Sequence, residues 1–190
     1  MDLRNNSLDR FMSTDQNSIE QFLSGFRQTI ETGALRLRDI PEDQSQMNKR
    51  EDKWSPKEII GHLIDSASNN HQRFVRAQLG SALVFQRYEQ VEWVMKQRYN
   101  EEPWDQLIQL WKHYNLHLAH LISVIPEQTL TQLRPLHNLD RIAFETVDKD
   151  QTTTLEYFVR DYVAHLKHHL AQILGDNEID SAKSSPEPQY

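Results

Sequence analysis

Hydrophobic positions recur at helical spacing in four separate stretches of the chain, and no stretch alternates convincingly with the two-residue period of a strand. The first runs roughly from Ser18 to Arg38, with Ile19, Phe22, Leu23, Phe26 and Ile30 on one stripe and Pro41 beyond its end. The second has the clearest start signal. Ser55 reads as N-cap, Pro56 as first helical residue and Glu58 as capping-box partner, with Trp54 and Ile59 at the hydrophobic staple positions. Ile59, Ile60, Leu63, Ala67 and Phe74 form its stripe, and Gly80 is its expected stop. The third covers about Trp104 to Ile125, with Leu107, Leu110, Trp111, Tyr114, Leu118, Leu121 and Ile125 inward and Pro126 ending it. The fourth starts at a capping box from Thr153 to Glu156 and stops at Gly175; Leu155, Phe158, Val159, Tyr162, Leu166, Leu170 and Ile173 are its apolar set.

Four amphipathic helices make an all-α four-helix bundle the economical fold. The link from Ser81 to Pro103 is long enough to cross the bundle, so the second and third helices can run parallel, giving up-down-down-up. It carries Phe85, Tyr88, Trp93 and Tyr99, which suit packing over the bundle. Residues 14–175 form the expected single domain, with 1–13 and 176–190 as polar tails.

Composition narrows the function. The net charge of −7 disfavours nucleic acid and anionic membrane surfaces as partners. No apolar run approaches the roughly 20 residues that span a bilayer, and the N-terminus lacks the basic-then-apolar pattern of a secretory signal. The absence of cysteine excludes disulfides, thiol nucleophiles and Cys-based zinc sites, and a cytoplasmic location is expected.

The candidate chemistry lies in the nine histidines. His165 and His169 are four apart, so one helix face presents both imidazoles to a single ion. His62 sits early in the second helix and His169 comparably near the end of the fourth, so an antiparallel pair brings them to one depth. His168 points outward. A second arrangement, His113 and His117 with His120 on the third helix, has the same spacing and remains an alternative; His71 and His137 carry no signal beyond surface or loop polarity. Ser66, Asn69 and Arg73 follow His62 along one face and could line the mouth of such a site. Glu58 and His117 are further neighbours to consider, and Asp65 is expected to point away from the core. Other metal patterns fail on spacing: Leu166 follows His165, so there is no His-Glu-x-x-His, and the paired Glu-x-x-His of di-iron bundles is absent.

The segments WSPKEIIGHLIDS and DYVAHLKHHLAQI resemble the two signature stretches of the DinB/YfiT-like superfamily of four-helix-bundle proteins. The first resembles its Trp-Ser/Thr…His stretch opening helix 2, and the second its His-x-x-x-His stretch in helix 4. The resemblance implies an up-down-down-up bundle holding a divalent metal through His62, His165 and His169, and imidazole nitrogens suit Zn2+ or Ni2+. Residues 127–152 depart from closer YfiT-type relatives in lacking a His-Pro-Glu-type element. A three-His site leaves an open position where water or a low-molecular-weight thiol can be activated, as in relatives resembling bacillithiol or mycothiol transferases. The expectation is a hydrolase or thiol S-transferase acting on a small-molecule substrate, with a homodimer common among relatives. The alternative is a non-catalytic binding or stress-response bundle with a vestigial metal site.

Overall fold

The computed structural model describes residues 5–48 and 53–175, with side chains from residue 19 onward. Four long helices carry the fold: α1 (Asn5–Arg38), α2 (Pro56–Ala77), α3 (Trp104–Ser123) and α4 (Leu155–Leu174). α1 begins ahead of the expected Ser18, and the tail expected over 176–190 lies outside the described residues. Short helical segments at Glu42–Ser45, Gln90–Gln97, Tyr99–Glu101, Glu127–Thr131 and Leu139–Ile142 occupy the links. Among the described residues, strand-like pairing is limited to two isolated bridges, Leu83 with His137 and Arg134 with Thr153.

Side-chain contacts fix how the helices run past one another. Along α1 and α3, Arg27 reaches the Ala119 carbonyl, Glu31 pairs with Lys112 and Arg38 with Asp105, so the two run in opposite directions. Phe22, Phe26 and Gly33 of α1 meet Arg160, Tyr162 and Leu170 of α4 in rising order. Phe74 of α2 packs on Phe158 and Tyr162 while His62 meets His165 and His169, so α2 and α4 are antiparallel.

All five stripe residues read for α2 and all seven for α4 are buried in one continuous core. Each buried Leu, Ile or Phe side chain contributes about 1.5–3 kcal/mol relative to exposure. The α3 stripe is rotated from the expected one. Leu110 is 47% exposed, whereas Ile108, Ala119 and Ile122 are buried. The polar Asn115 also lies in that stripe, because its amide donates to the Trp111 carbonyl (2.8 Å) and its oxygen accepts the Tyr162 hydroxyl (2.5 Å). A polar core residue with both ends bonded costs little, and periodicity counted on apolar letters alone misses it.

The α4 start differs by one residue from the expected capping box. Thr154, not Thr153, accepts the Tyr157 N–H (3.0 Å). Thr153 is held extended because its N–H and C=O both pair with Arg134, and Glu156 turns to Arg160 instead. The Arg134 guanidinium, itself buried, donates to the carbonyls of Gly80 and Thr129, tying the link before α4 to the end of α2. His137 is also buried rather than surface-exposed: its Nδ1 accepts the Leu139 N–H, so Nε2 donates to the Gln151 carbonyl (2.8 Å).

The crossover packs over α2 and α4. Phe85 stacks on Phe158 at 5.9 Å, and the Tyr99 ring lies directly on Gly61, where a Cβ would come within 2.0 Å of it. A glycine inside a helix costs about 1 kcal/mol against alanine; here that cost lets an aromatic ring touch the backbone one residue before His62.

Candidate metal centre

The capping expected at α2 is present in full. The Ser55 side chain accepts the Glu58 N–H (3.2 Å) and Glu58 accepts the Ser55 N–H (2.8 Å), with Pro56 in the first turn. This anchored start places His62 two turns in, with no exposed surface, its ring 5.1 Å from that of Trp54. On α4, His165 and His169 are half-buried and His168 is exposed.

The antiparallel packing of α2 and α4 gathers the three. His62 Nε2 lies 3.2 Å from His165 Nε2, and one ring nitrogen from each of His62, His165 and His169 falls within 4.8 Å of the others. Two nitrogens each about 2.0–2.1 Å from a tetrahedral ion stand roughly 3.3–3.4 Å apart, so the His62–His165 spacing suits a shared cation. Burial holds the imidazoles uncharged. Desolvation, with His169 nearby, pushes His62 down to about 3. Desolvation and the charges of His169, His62 and His168 push His165 down to about 2. His169 is lowered chiefly by desolvation, against an opposing contact with Gln172 at 3.1 Å. Neutral imidazoles with available lone pairs are the form a metal requires.

His62 Nδ1 is buried with no hydrogen-bond partner, and so is Asp65 Oδ2, three residues along the same helix. Asp65 does not point away from the core as the sequence suggests. It is 3% exposed, because the crossover lays Gln97 and Tyr99 over it and both donate to Oδ1 (2.7 and 2.8 Å). Burial raises its pKa, the Gln97 and Tyr99 bonds opposing.

A cavity of about 600 Å3 opens onto the cluster and is lined by His165, His168 and His169, with His62 behind them. Of the residues expected at its mouth, Ser66 and Arg73 line it. Asn69 does not: its amide caps the Asp65 carbonyl (2.9 Å), and Asn70 lines the cavity in its place. Glu58 is committed to the capping box. His117 is exposed, its ring 5.1 Å from His71 on another face of α2. The other histidines of the α3 alternative, His113 and His120, are exposed, and His113 bonds its own helix at the Gln109 carbonyl. Among the described residues, His62, His165 and His169 form the one group arranged for a metal.

Sequence reading missed Asp161 and Phe144. Asp161 sits one turn before His165 and is buried, its two oxygens accepting the N–H groups of Phe144 (3.0 Å) and Glu145 (2.7 Å). This holds the Phe144 ring over His165 and His168, at 5.5 and 5.1 Å. The i, i+4 spacing of Asp161 and His165 was a usable signal; Phe144, in a link without periodicity, gave none.

Residues 26–173 match the family model of the DinB superfamily. The fold is similar to that of YfiT from Bacillus subtilis, described as a probable metal-dependent hydrolase with an unusual four-helix bundle topology. The identity is 17%, over 82% of this chain and 83% of that one, with a TM-score of 0.67. It is also similar to the mycothiol-dependent maleylpyruvate isomerase, at 14% identity over 83% of this chain and 60% of that one, with a TM-score of 0.61. No curated protein matches the chain. No described helix is long and apolar enough to cross a membrane.

Proposed function

This chain belongs to the DinB superfamily, and we propose that it is a metal-dependent enzyme in which His62, His165 and His169 hold one divalent ion, Zn2+ or Ni2+. The observation that carries this reading is the convergence of three uncharged imidazoles from two antiparallel helices, two of them, His165 and His169, on the wall of a cavity. An ion held by three neutral ligands keeps its full charge and supplies Lewis acidity to a nucleophile entering from that cavity. We read the helix order as up-down-down-up, which sets the two ligand-bearing helices antiparallel.

The surrounding residues position and shield. Trp54 closes the buried side of His62, Gln172 holds His169, and Asp161 braces the loop that lays Phe144 over His165. Burial on the cavity wall raises the Asp161 pKa, against the backbone N–H bonds of Glu145 and Phe144 that its two oxygens accept. When bound, such an ion would bring water, at about 15.7 in bulk, toward about 7, and would favour the thiolate form of a thiol, at about 8.5 when free. Hydrolysis and S-transfer of a low-molecular-weight thiol both fit the site.

The test is metal analysis of the full chain, followed by turnover assays on the metal-loaded protein and on His169→Ala. Panels of esters, amides and thiol-plus-electrophile pairs cover both reactions. The reading predicts one ion per chain and turnover in at least one panel that is lost in the variant; dependence on added thiol assigns S-transfer, and its absence hydrolysis. Identical behaviour of the two proteins across every panel overturns it in favour of a non-catalytic binding bundle.

A further inference from the structure

Arg73 differs from the other cationic groups around the cavity in being buried, at 7% exposed. It donates to the Gln86 carbonyl (3.0 Å) and, at 3.4 Å, to Asn70 Oδ1. Asn70 is oriented in turn by the Ser66 carbonyl (2.9 Å) and hydroxyl (3.3 Å). Ser66, Asn70 and Arg73 therefore form a chain along one face of α2, and all three line the cavity. No carboxylate among the described residues pairs with Arg73. Asp161, the buried acid of the cavity wall, is held by Phe144 and Glu145 instead. Glu89 and Glu92 at the rim are exposed, and the exposed Arg87 and Arg141 offset them.

A buried cation without an anion is costly, since burial removes hydration that neutral acceptors replace only in part. Arg134 meets the same problem differently: it does not line the cavity, and its guanidinium is spent on two carbonyls that lock a loop. Arg73 faces open volume and keeps donors beyond the two it uses, since a guanidinium carries five.

We propose that Ser66, Asn70 and Arg73 form an anion subsite that binds a carboxylate or phosphate group on the substrate of this centre. The inference rests on the catalytic reading of the three histidines for its location. At about 1.5 Å per residue, Arg73 stands roughly 16 Å from His62 along the helix axis, shortened because its side chain leans toward the helix N-terminus. The ligand is therefore elongated, with its anionic group at one end and its reactive group at the other. Guanidinium binds such oxyanions through paired, charge-assisted hydrogen bonds.

The experiment titrates the zinc-loaded full chain, by calorimetry, with linear carboxylates and alkyl phosphates of increasing length, each beside its neutral amide or alcohol. The acid is expected to bind about tenfold more tightly than its neutral partner, the better of the two series identifying the oxyanion. The preference should vanish in Arg73→Gln with zinc affinity unchanged. His169→Ala should lose zinc yet keep the preference, which separates failure of the subsite from failure of the metal reading. The Arg73 Nε–H resonance, identified with Arg73→Lys, should shift during the wild-type titration, a readout that does not depend on the glutamine variant folding. Equal binding of acid and neutral partner, no binding by any member of the series at millimolar concentration, or an unmoved Arg73 signal overturns the proposal.

Discussion

Two histidine clusters flank α2, and they differ in everything except the spacing that announces them. On one side His62 meets His165 and His169, four apart on α4. On the other, His71 meets His117, which lies four residues from His113 on α3. In the first cluster both members of the helical pair turn inward, and the third histidine has no exposed surface. In the second, the pair is split. His113 bonds the Gln109 carbonyl of its own helix, and His117 is exposed, its ring against that of His71, which in turn meets Tyr114. Four-residue spacing aligns side chains along a helix but does not say whether that line faces a partner helix. A partner face and a third ligand turn a pair into a candidate site.

The largest expected effect comes from removing a member of the first cluster. With metal at about a hundredfold excess over its Kd, binding to the native state adds about 2.7 kcal/mol. His165→Ala should lose nearly all of that rise in thermal midpoint yet remain folded, because the core runs through all four helices. A full metal-induced rise in this variant, read by calorimetry, would remove His165 from the ligand set.

Acid should separate the clusters next. His62 and His165 protonate only near 3 and 2 in the fold, against about 6.5 in an unfolded chain. Between those values the unfolded chain binds more protons, so stability rises with pH. The contribution is complete above about pH 6.5 and is lost as pH falls toward the folded values. Urea midpoints of the metal-free protein should decline from about pH 7 to 5, and a His62→Gln, His165→Gln double variant should show a shallower decline. Equal slopes would place the acid sensitivity elsewhere.

A smaller effect is expected where the crossover covers the first cluster. Gly61→Ala puts a methyl into the Tyr99 ring, and overpacking of this kind costs about 1–3 kcal/mol. Displacing Tyr99 also removes a donor from Asp65. Chemical denaturation should show the loss; an unchanged midpoint would mean that Tyr99 moves aside without cost.

The smallest effect should follow His117→Ala. An exposed histidine away from special contacts changes stability by no more than about 0.5 kcal/mol, and metal binding should be untouched. A reduced metal stoichiometry would make the second cluster a site as well.

Much of this molecule is legible in its sequence. The α2 start could be read residue by residue, because capping is a local matter: Ser55, Pro56 and Glu58 satisfy one another within four positions. The stripes of α2 and α4 and the inward turn of His165 and His169 follow from helical periodicity, which is local too. Gly175 ends α4 as expected, with φ at +89° where a side chain would be strained. What the sequence left open depends on which surface covers which. Asp65 reads as outward on a helical wheel until Gln97 and Tyr99 arrive from the crossover. Asn115 reads as polar until Tyr162 meets it across the core. Arg73 reads as one more solvated charge until the fold buries it beside a cavity. Periodicity ranks the faces of each helix by the residues that helix carries. Burial is set by the neighbour that packs there, and only the tertiary structure supplies that neighbour.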